Sequence, residues 1–186
     1  AAGRRMFTRL GLWPDLSVDA FPITRMRITD GALEDAIRTA FLTFSGAVGP
    51  REPFAYMIPN ATLADALDAA CERTGVEVRP EAARIFEAGP DLVEVRLAGG
   101  VRITGSLLVA ADGAGSHLRG IAGIGTVGRR YPQRGIVTTV EHTVPNGGEA
   151  IQHFLPAGPF AILPVAERKA SIVWTEEAET AERLVA

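Results

Sequence analysis

Residues 123–128 read GIGTVG, a letter-for-letter match to G-x-G-x-x-G. In a dinucleotide-binding loop those glycines let the backbone approach a pyrophosphate at a helix N-terminus. The pattern therefore works only between a strand and the helix it opens. Here the preceding residues, SHLRGIA, read as helix, and the following RRYPQ runs into Pro132, which cannot start a regular helix. With 20 glycines in 186 residues such a match arises easily. The pattern predicts a surface loop, not a nucleotide site.

The residues with better placed chemistry lie just upstream. SLLVAAD, residues 106–112, is a continuous apolar run ending in Asp112 and Gly113, and GSHLRGIA then has the makings of a short helix. A buried strand feeding a helix through an Asp-Gly turn would bring a carboxylate and free backbone N–H groups to one point, which suits sugar hydroxyls and phosphate oxygens. Ser116 is placed to cap that helix, and Arg119 falls about one turn along it. Asp112 acting simply as a helix cap is the competing reading of the same residues.

Other classes of chemistry find little support. His117, His142 and His153 have no metal-ligand spacing to one another or to Cys71, so no metal site is expected. The single cysteine forms no internal disulfide, which fits a reducing compartment. A formal net charge of -3 gives no electrostatic case for nucleic acid. No apolar run approaches the roughly 18 residues that would span a bilayer, and no signal peptide opens the sequence.

The elements that must position these residues can be read from periodicity. An opening helix carries Met6, Phe7 and Leu10 on one face and ends at Gly11. PITRMRITDG reads as a strand with Met26 and Ile28 on one face and a turn at Asp30-Gly31. Residues 32–44 read ambiguously, although Leu33, Ala36, Ile37, Ala40, Phe41 and Phe44 give a helical stripe, and EPFAYMIPN reads as a short strand. NATLADALDAACERTG is the clearest helix, with Thr62 and Asp65 resembling a capping box and Gly75 closing it. VEVRP, ARIFEAG, LVEVRL and VRIT follow as a meander of strands, with a hairpin at Gly99-Gly100. SLLVAAD reads as a strand buried on both faces, as in a parallel sheet. Beyond residue 130 four strand candidates, RGIVTTVEHTV, AIQHFLPAG, FAILPVA and KASIVWTEE, suggest an antiparallel sheet, and AERLVA is helix-like at the end.

The string VAADGAGSHLRGIAGI closely resembles the Asp-Gly motif of the FAD-dependent aromatic hydroxylases, A-D-G-x-x-S-x-x-R, with Ala111, Asp112, Gly113, Ser116 and Arg119 in register. LGLWPDL, IPNATLADAL, YPQRGIV and FLPAGPFAILP followed by SIVW resemble the ubiquinone-biosynthesis branch of that family. Together these motifs cover nearly the whole chain in a specific order. The resemblance implies a mixed α/β chain that is an internal segment of a flavoprotein hydroxylase fold. The family's N-terminal glycine-rich FAD fingerprint and its later Gly-Asp motif would lie outside it. Residues 1–20 and 61–124 would then belong to a cofactor domain, and residues 21–60 and 125–186 to a substrate domain with a mostly antiparallel sheet. The family also implies extended structure near residues 32–56, against the helical stripe.

What the resemblance implies chemically is insertion of one oxygen atom into an electron-rich aromatic ring by bound FAD, with NAD(P)H as reductant. The cofactor carries such chemistry, and the protein binds, orients and excludes water. Asp112, Gly113, Ser116 and Arg119 are the candidate FAD contacts. Phe154, Pro156, Phe160 and Pro164 are the candidate wall of a substrate pocket, each also readable as sheet core. The implied substrate is a small aromatic or polyprenylated phenol. A cytoplasmic protein in peripheral contact with the inner membrane, and a complex with other ubiquinone-biosynthesis proteins, would suit it. The alternatives are another flavin enzyme of the superfamily (reductase, epoxidase or halogenase) and a non-enzymatic binding module.

Overall fold

The computed structural model describes residues 2–32, 34–35, 39–45 and 53–186. The chain divides into two compact units, residues 1–76 with 131–186, and residues 77–130. The sequence reading groups 61–124 with 1–20 instead, whereas the helix of residues 60–74 falls in the larger unit.

The larger unit begins with helices α1 (Ala2–Arg9) and α2 (Trp13–Ser17), then strands β1 (Phe21–Ile23), β2 (Arg25–Asp30), β3 (Ala40–Ser45) and β4 (Ala55–Met57), and helix α3 (Asn60–Thr74). Leu12, Leu16 and Ala66 form its helical core, packed by Phe7, Trp13, Ile58, Leu63 and Ala70. The sequence pattern missed α2, a five-residue helix opened by Pro14 in its first turn. At residues 40–44 the extended structure implied by the resemblance holds and the helical stripe does not: the segment pairs antiparallel with β2, Phe44 opposite Met26 and Leu42 opposite Ile28. Ladder hydrogen bonds override a helical apolar stripe when a partner edge is at hand. Leu33, Ala36 and Ile37 of that stripe lie outside the described residues. The capping box at Thr62 is also corrected. Helix α3 starts earlier, after Pro59, and the Thr62 hydroxyl donates to Asp19 Oδ2 at 2.6 Å. Gly75 closes α3 in the left-handed conformation, as expected.

After β5 (Ala83–Ala88), β6 (Val93–Leu97), β7 (Arg102–Gly105) and α4 (His117–Ile121), which make up the smaller unit, the chain completes the large sheet of the first unit with β8 (Gln133–Glu141), β9 (Glu149–Leu155), β10 (Gly158–Ala166) and β11 (Lys169–Glu177), followed by α5 (Ala178–Val185). The four expected strands are present. They join β2 and β3 in a six-stranded sheet of order β3-β2-β9-β10-β11-β8, antiparallel except for the parallel pair β2–β9. β1 and β4 form a separate two-stranded pair.

The smaller unit is a three-stranded antiparallel meander, β5 (Ala83–Ala88), β6 (Val93–Leu97) and β7 (Arg102–Gly105), with helix α4 (His117–Ile121) packed against β5. Two expected strands are corrected here. VEVRP has no strand structure, and neither does SLLVAAD. Leu107 and Val109 are 77% and 72% exposed. An apolar run becomes a buried strand only when a neighbouring ladder takes its N–H and C=O groups, and no described strand pairs with residues 106–112.

Candidate functional site

The Asp-Gly turn of the smaller unit is built by local hydrogen bonds. Gly113 sits at φ +85°, the left-handed region, with open space where a side chain would project. The turn brings the chain back so that Ser116 caps α4, its hydroxyl accepting from the Arg119 N–H at 3.0 Å. The same hydroxyl donates to Asp112 Oδ1 at 2.6 Å. Asp112 Oδ2 accepts from the backbone N–H groups of His117 at 3.1 Å and Leu118 at 3.5 Å. The Ser116 hydrogen bond, helped by those backbone donors, holds the Asp112 carboxyl below its ordinary value of 3.8. Arg119 Nη2 donates to Ala114 O at 2.9 Å across the loop, and His117 Nε2 lies 3.0 Å from Arg84 O on β5.

The structure therefore brings Asp112, Gly113, Ser116 and Arg119 together at one exposed corner. Both oxygens of Asp112 accept hydrogen bonds within the corner, and the exposed carboxylate keeps acceptor capacity for a hydroxyl as well. The open Gly113–Gly115 loop and the remaining donors of the Arg119 guanidinium suit an anionic group. Gly113, Ser116 and Arg119 also line a cavity of about 450 Å³ whose other walls are mainly apolar, among them Phe86, Val93, Leu108, Leu118 and Ile124. The corner offers a wall for a cofactor, with no nucleophile–base pair of its own.

The GIGTVG loop behaves as its context predicts. Helix α4 ends at Ile121 before it, residues 124–130 have no regular structure, and no helix opens there. Val127 is fully exposed.

The expected pocket residues are not gathered on one wall. Phe154 pairs with Pro159, and Phe160 with His153, so Phe154 and Phe160 leave the sheet on opposite faces. Pro156 lies in the β9–β10 turn. Pro164, which is fully buried, shares the face of Phe160. That face carries residues the sequence reading passed over. Phe160 meets Trp174 edge to face at 5.8 Å, and beside it His153 and Thr29 are buried together. His153 alternates with Ile151 and Leu155 along β9, and this two-residue period was the signal that placed it inward.

No protein-family model matches the chain. It is 36% identical over 187 residues to the ubiquinone hydroxylase UbiL of Rhodospirillum rubrum, covering 100% of this chain and 42% of that protein. It is 32% identical over 177 residues to the 3-demethoxyubiquinol 3-hydroxylase of Escherichia coli, covering 94% of this chain and 44% of that one. With the mitochondrial ubiquinone biosynthesis monooxygenase COQ6 of Danio rerio it shares 30% identity over 194 residues, 97% of this chain and 39% of the relative. The chain thus spans less than half the length of these three relatives. Among solved structures, PqsL of Pseudomonas aeruginosa in complex with 2-aminobenzoylacetate superposes with a TM-score of 0.78 at 20% identity, over 98% of this chain and 50% of that one. HpxO of Klebsiella pneumoniae, complexed with FAD and uric acid, gives 0.70 at 21% identity over 93% and 44%.

Proposed function

Because this chain belongs to the family of ubiquinone-biosynthesis hydroxylases, we propose that it forms part of an FAD-dependent monooxygenase that hydroxylates the aromatic ring of a ubiquinone precursor. The observation that carries this reading is likeness to ubiquinone hydroxylases along nearly the whole of the chain, with the Asp112–Arg119 string intact within it. Bound FAD, reduced by NAD(P)H, would supply the oxygen-transfer chemistry.

The chain's own residues have the supporting tasks. Arg119 and the Gly113–Gly115 loop hold an anionic part of the cofactor, and Ser116 and Asp112 keep that loop in shape through their shared hydrogen bonds. The Phe160 face of the large sheet supplies an apolar surface that excludes water from the ring to be oxidised. A polyprenylated substrate partitions into bilayers, so the working protein sits peripherally at a membrane, within reach of the enzymes that supply its substrate. Among the described residues no helix is long and apolar enough to cross a membrane.

The test is turnover by the complete flavoprotein that carries this chain. With FAD, NAD(P)H and a prenylated phenol under ¹⁸O₂, one labelled oxygen should enter the ring. Consumption of NAD(P)H that yields only peroxide with every phenol offered would refute the reading. In that protein Asp112→Ala should weaken FAD retention while the far-UV spectrum is unchanged. The 186-residue chain alone should bind FAD far more weakly than micromolar. The few hydrogen bonds its corner can offer contribute about 0.5–1.5 kcal/mol each, against roughly 8 kcal/mol for micromolar affinity. Saturable quenching of flavin fluorescence at micromolar concentration would show otherwise.

A further inference from the structure

Of three buried nitrogens in the large sheet with no hydrogen-bond partner among the described residues, Arg27 Nε is ion-paired with Glu149 Oε1 at 3.2 Å, which leaves His153 Nε2 and Trp174 Nε1. They belong to a single row. Thr29 on β2 pairs with His153 on β9, His153 with Phe160 on β10, and Phe160 with Trp174 on β11, so all four side chains leave the sheet on one face. Thr29 and His153 are each 4% exposed, and Thr29 Oγ1 lies 2.6 Å from His153 Nδ1. One ring nitrogen of His153 is thereby fixed, and the other is left without a partner. Folded proteins carry few such groups, because each keeps its desolvation cost without the compensating bond. Here two occur in one row, on either side of Phe160 and about 10 Å apart by strand spacing. Polar points on either side of an apolar ring are the combination by which small-molecule sites fix a ligand's orientation.

We propose that His153 is a substrate-binding residue, its Nε2 taking a hydrogen bond with an oxygen on the aromatic ring while Phe160 and Trp174 support the ring. Thr29 is a positioning residue that sets the imidazole orientation and thereby which ring nitrogen carries the proton. A neutral imidazole can donate or accept through Nε2 according to that tautomer, so a phenol hydroxyl suits it in either case. This inference rests on the function proposed above and adds the residue that selects a ring bearing an oxygen.

The experiment uses the complete flavoprotein and, as probe, a phenol carrying a short prenyl chain. His153→Leu should raise KM for that phenol about tenfold and lower the fraction of NAD(P)H oxidation that yields hydroxylated product. Its Tm combines two opposed changes, loss of the unpartnered Nε2 and loss of the buried Thr29–His153 hydrogen bond, so KM and coupling are the readouts that carry the test. His153→Gln, whose amide reaches toward the position of Nε2, should bring KM back to within about threefold of the parent. Thr29→Val should raise KM and Thr29→Ser restore it. Unchanged KM and coupling in His153→Leu would overturn the inference, as would a Gln variant whose KM is no better than that of the Leu variant, which marks a purely structural histidine. If the parent protein turns over no prenylated phenol, that result falls on the proposed function. The His153 ¹⁵Nε2 resonance then decides the inference by itself: a shift on adding phenol supports it, and none overturns it.

Discussion

The Asp112 corner and the His153 row are both polar constellations, and they are built in opposite ways. In the corner the hydrogen bonds among Asp112, Ser116, His117, Leu118 and Arg119 join residues three to six apart in sequence, and none is fully buried. In the row, Thr29 and His153 are 124 residues apart and buried. The corner satisfies its polar groups locally and leaves room beside it. The row leaves two nitrogens without partners in a dry place. Local satisfaction makes a scaffold, whereas buried dissatisfaction points to something still to be bound.

The largest effect that would sharpen this contrast lies in the core of the larger unit. Leu16 is fully buried among the helices, so Leu16→Ala should cost about 2–5 kcal/mol of unfolding free energy, read by urea denaturation. A cost no larger than that of a change in the corner would erase the distinction between the regions. In the corner, Ser116→Ala removes the cap of α4 and should lower the protection of its amides against hydrogen exchange by about 1 kcal/mol. It should also let the Asp112 pKa rise toward 3.8, because the largest cause of its depression is gone. The sign follows: a carboxyl depressed in the folded state contributes stability above its unfolded value, and that contribution fades as pH falls through the folded one. The parent should therefore hold α4 to lower pH than the variant, which an NMR titration of Asp112 can follow. Smallest of all, Val127→Ser in the exposed glycine loop should change neither stability nor FAD retention in the complete flavoprotein. A loss of FAD there would reinstate GIGTVG as a nucleotide site.

The same division explains what the sequence made legible. The corner could be read because Asp112, Gly113, Ser116 and Arg119 lie within one turn and one short helix, where spacing alone dictates geometry. The four strands from 133 onward were legible because Pro, Gly and Asn separate their alternating runs. The helical stripe misled at residues 40–44, where the resemblance pointed to extended structure, because their strand depends on β2 as a partner, which no local period reveals. SLLVAAD was misread for the converse reason: its composition suits a buried strand, but a strand exists only in a ladder. The place of His153 in the row went unread because Thr29 and Phe160 become its neighbours, and Trp174 the next in line, only once the register of four strands is known.

The parallel pairing of β2 with β9 has a kinetic meaning. Arg25 meets Glu149, so closing this ladder encloses more than a hundred residues, and contacts so distant in sequence slow folding. On a ribosome adding 5–20 residues per second, β2 waits on the order of 6–25 s for its partner to be made. The antiparallel pair β2–β3 and the run β8 to β11 each need shorter loops, the hairpins β9–β10 and β10–β11 the shortest, and can form first. Docking of β2 onto β9 then comes last, and it is the step that buries Thr29 against His153. Until it occurs, the inner edge of β2 is an open template for other chains, and this is the interval in which a chaperone would matter most.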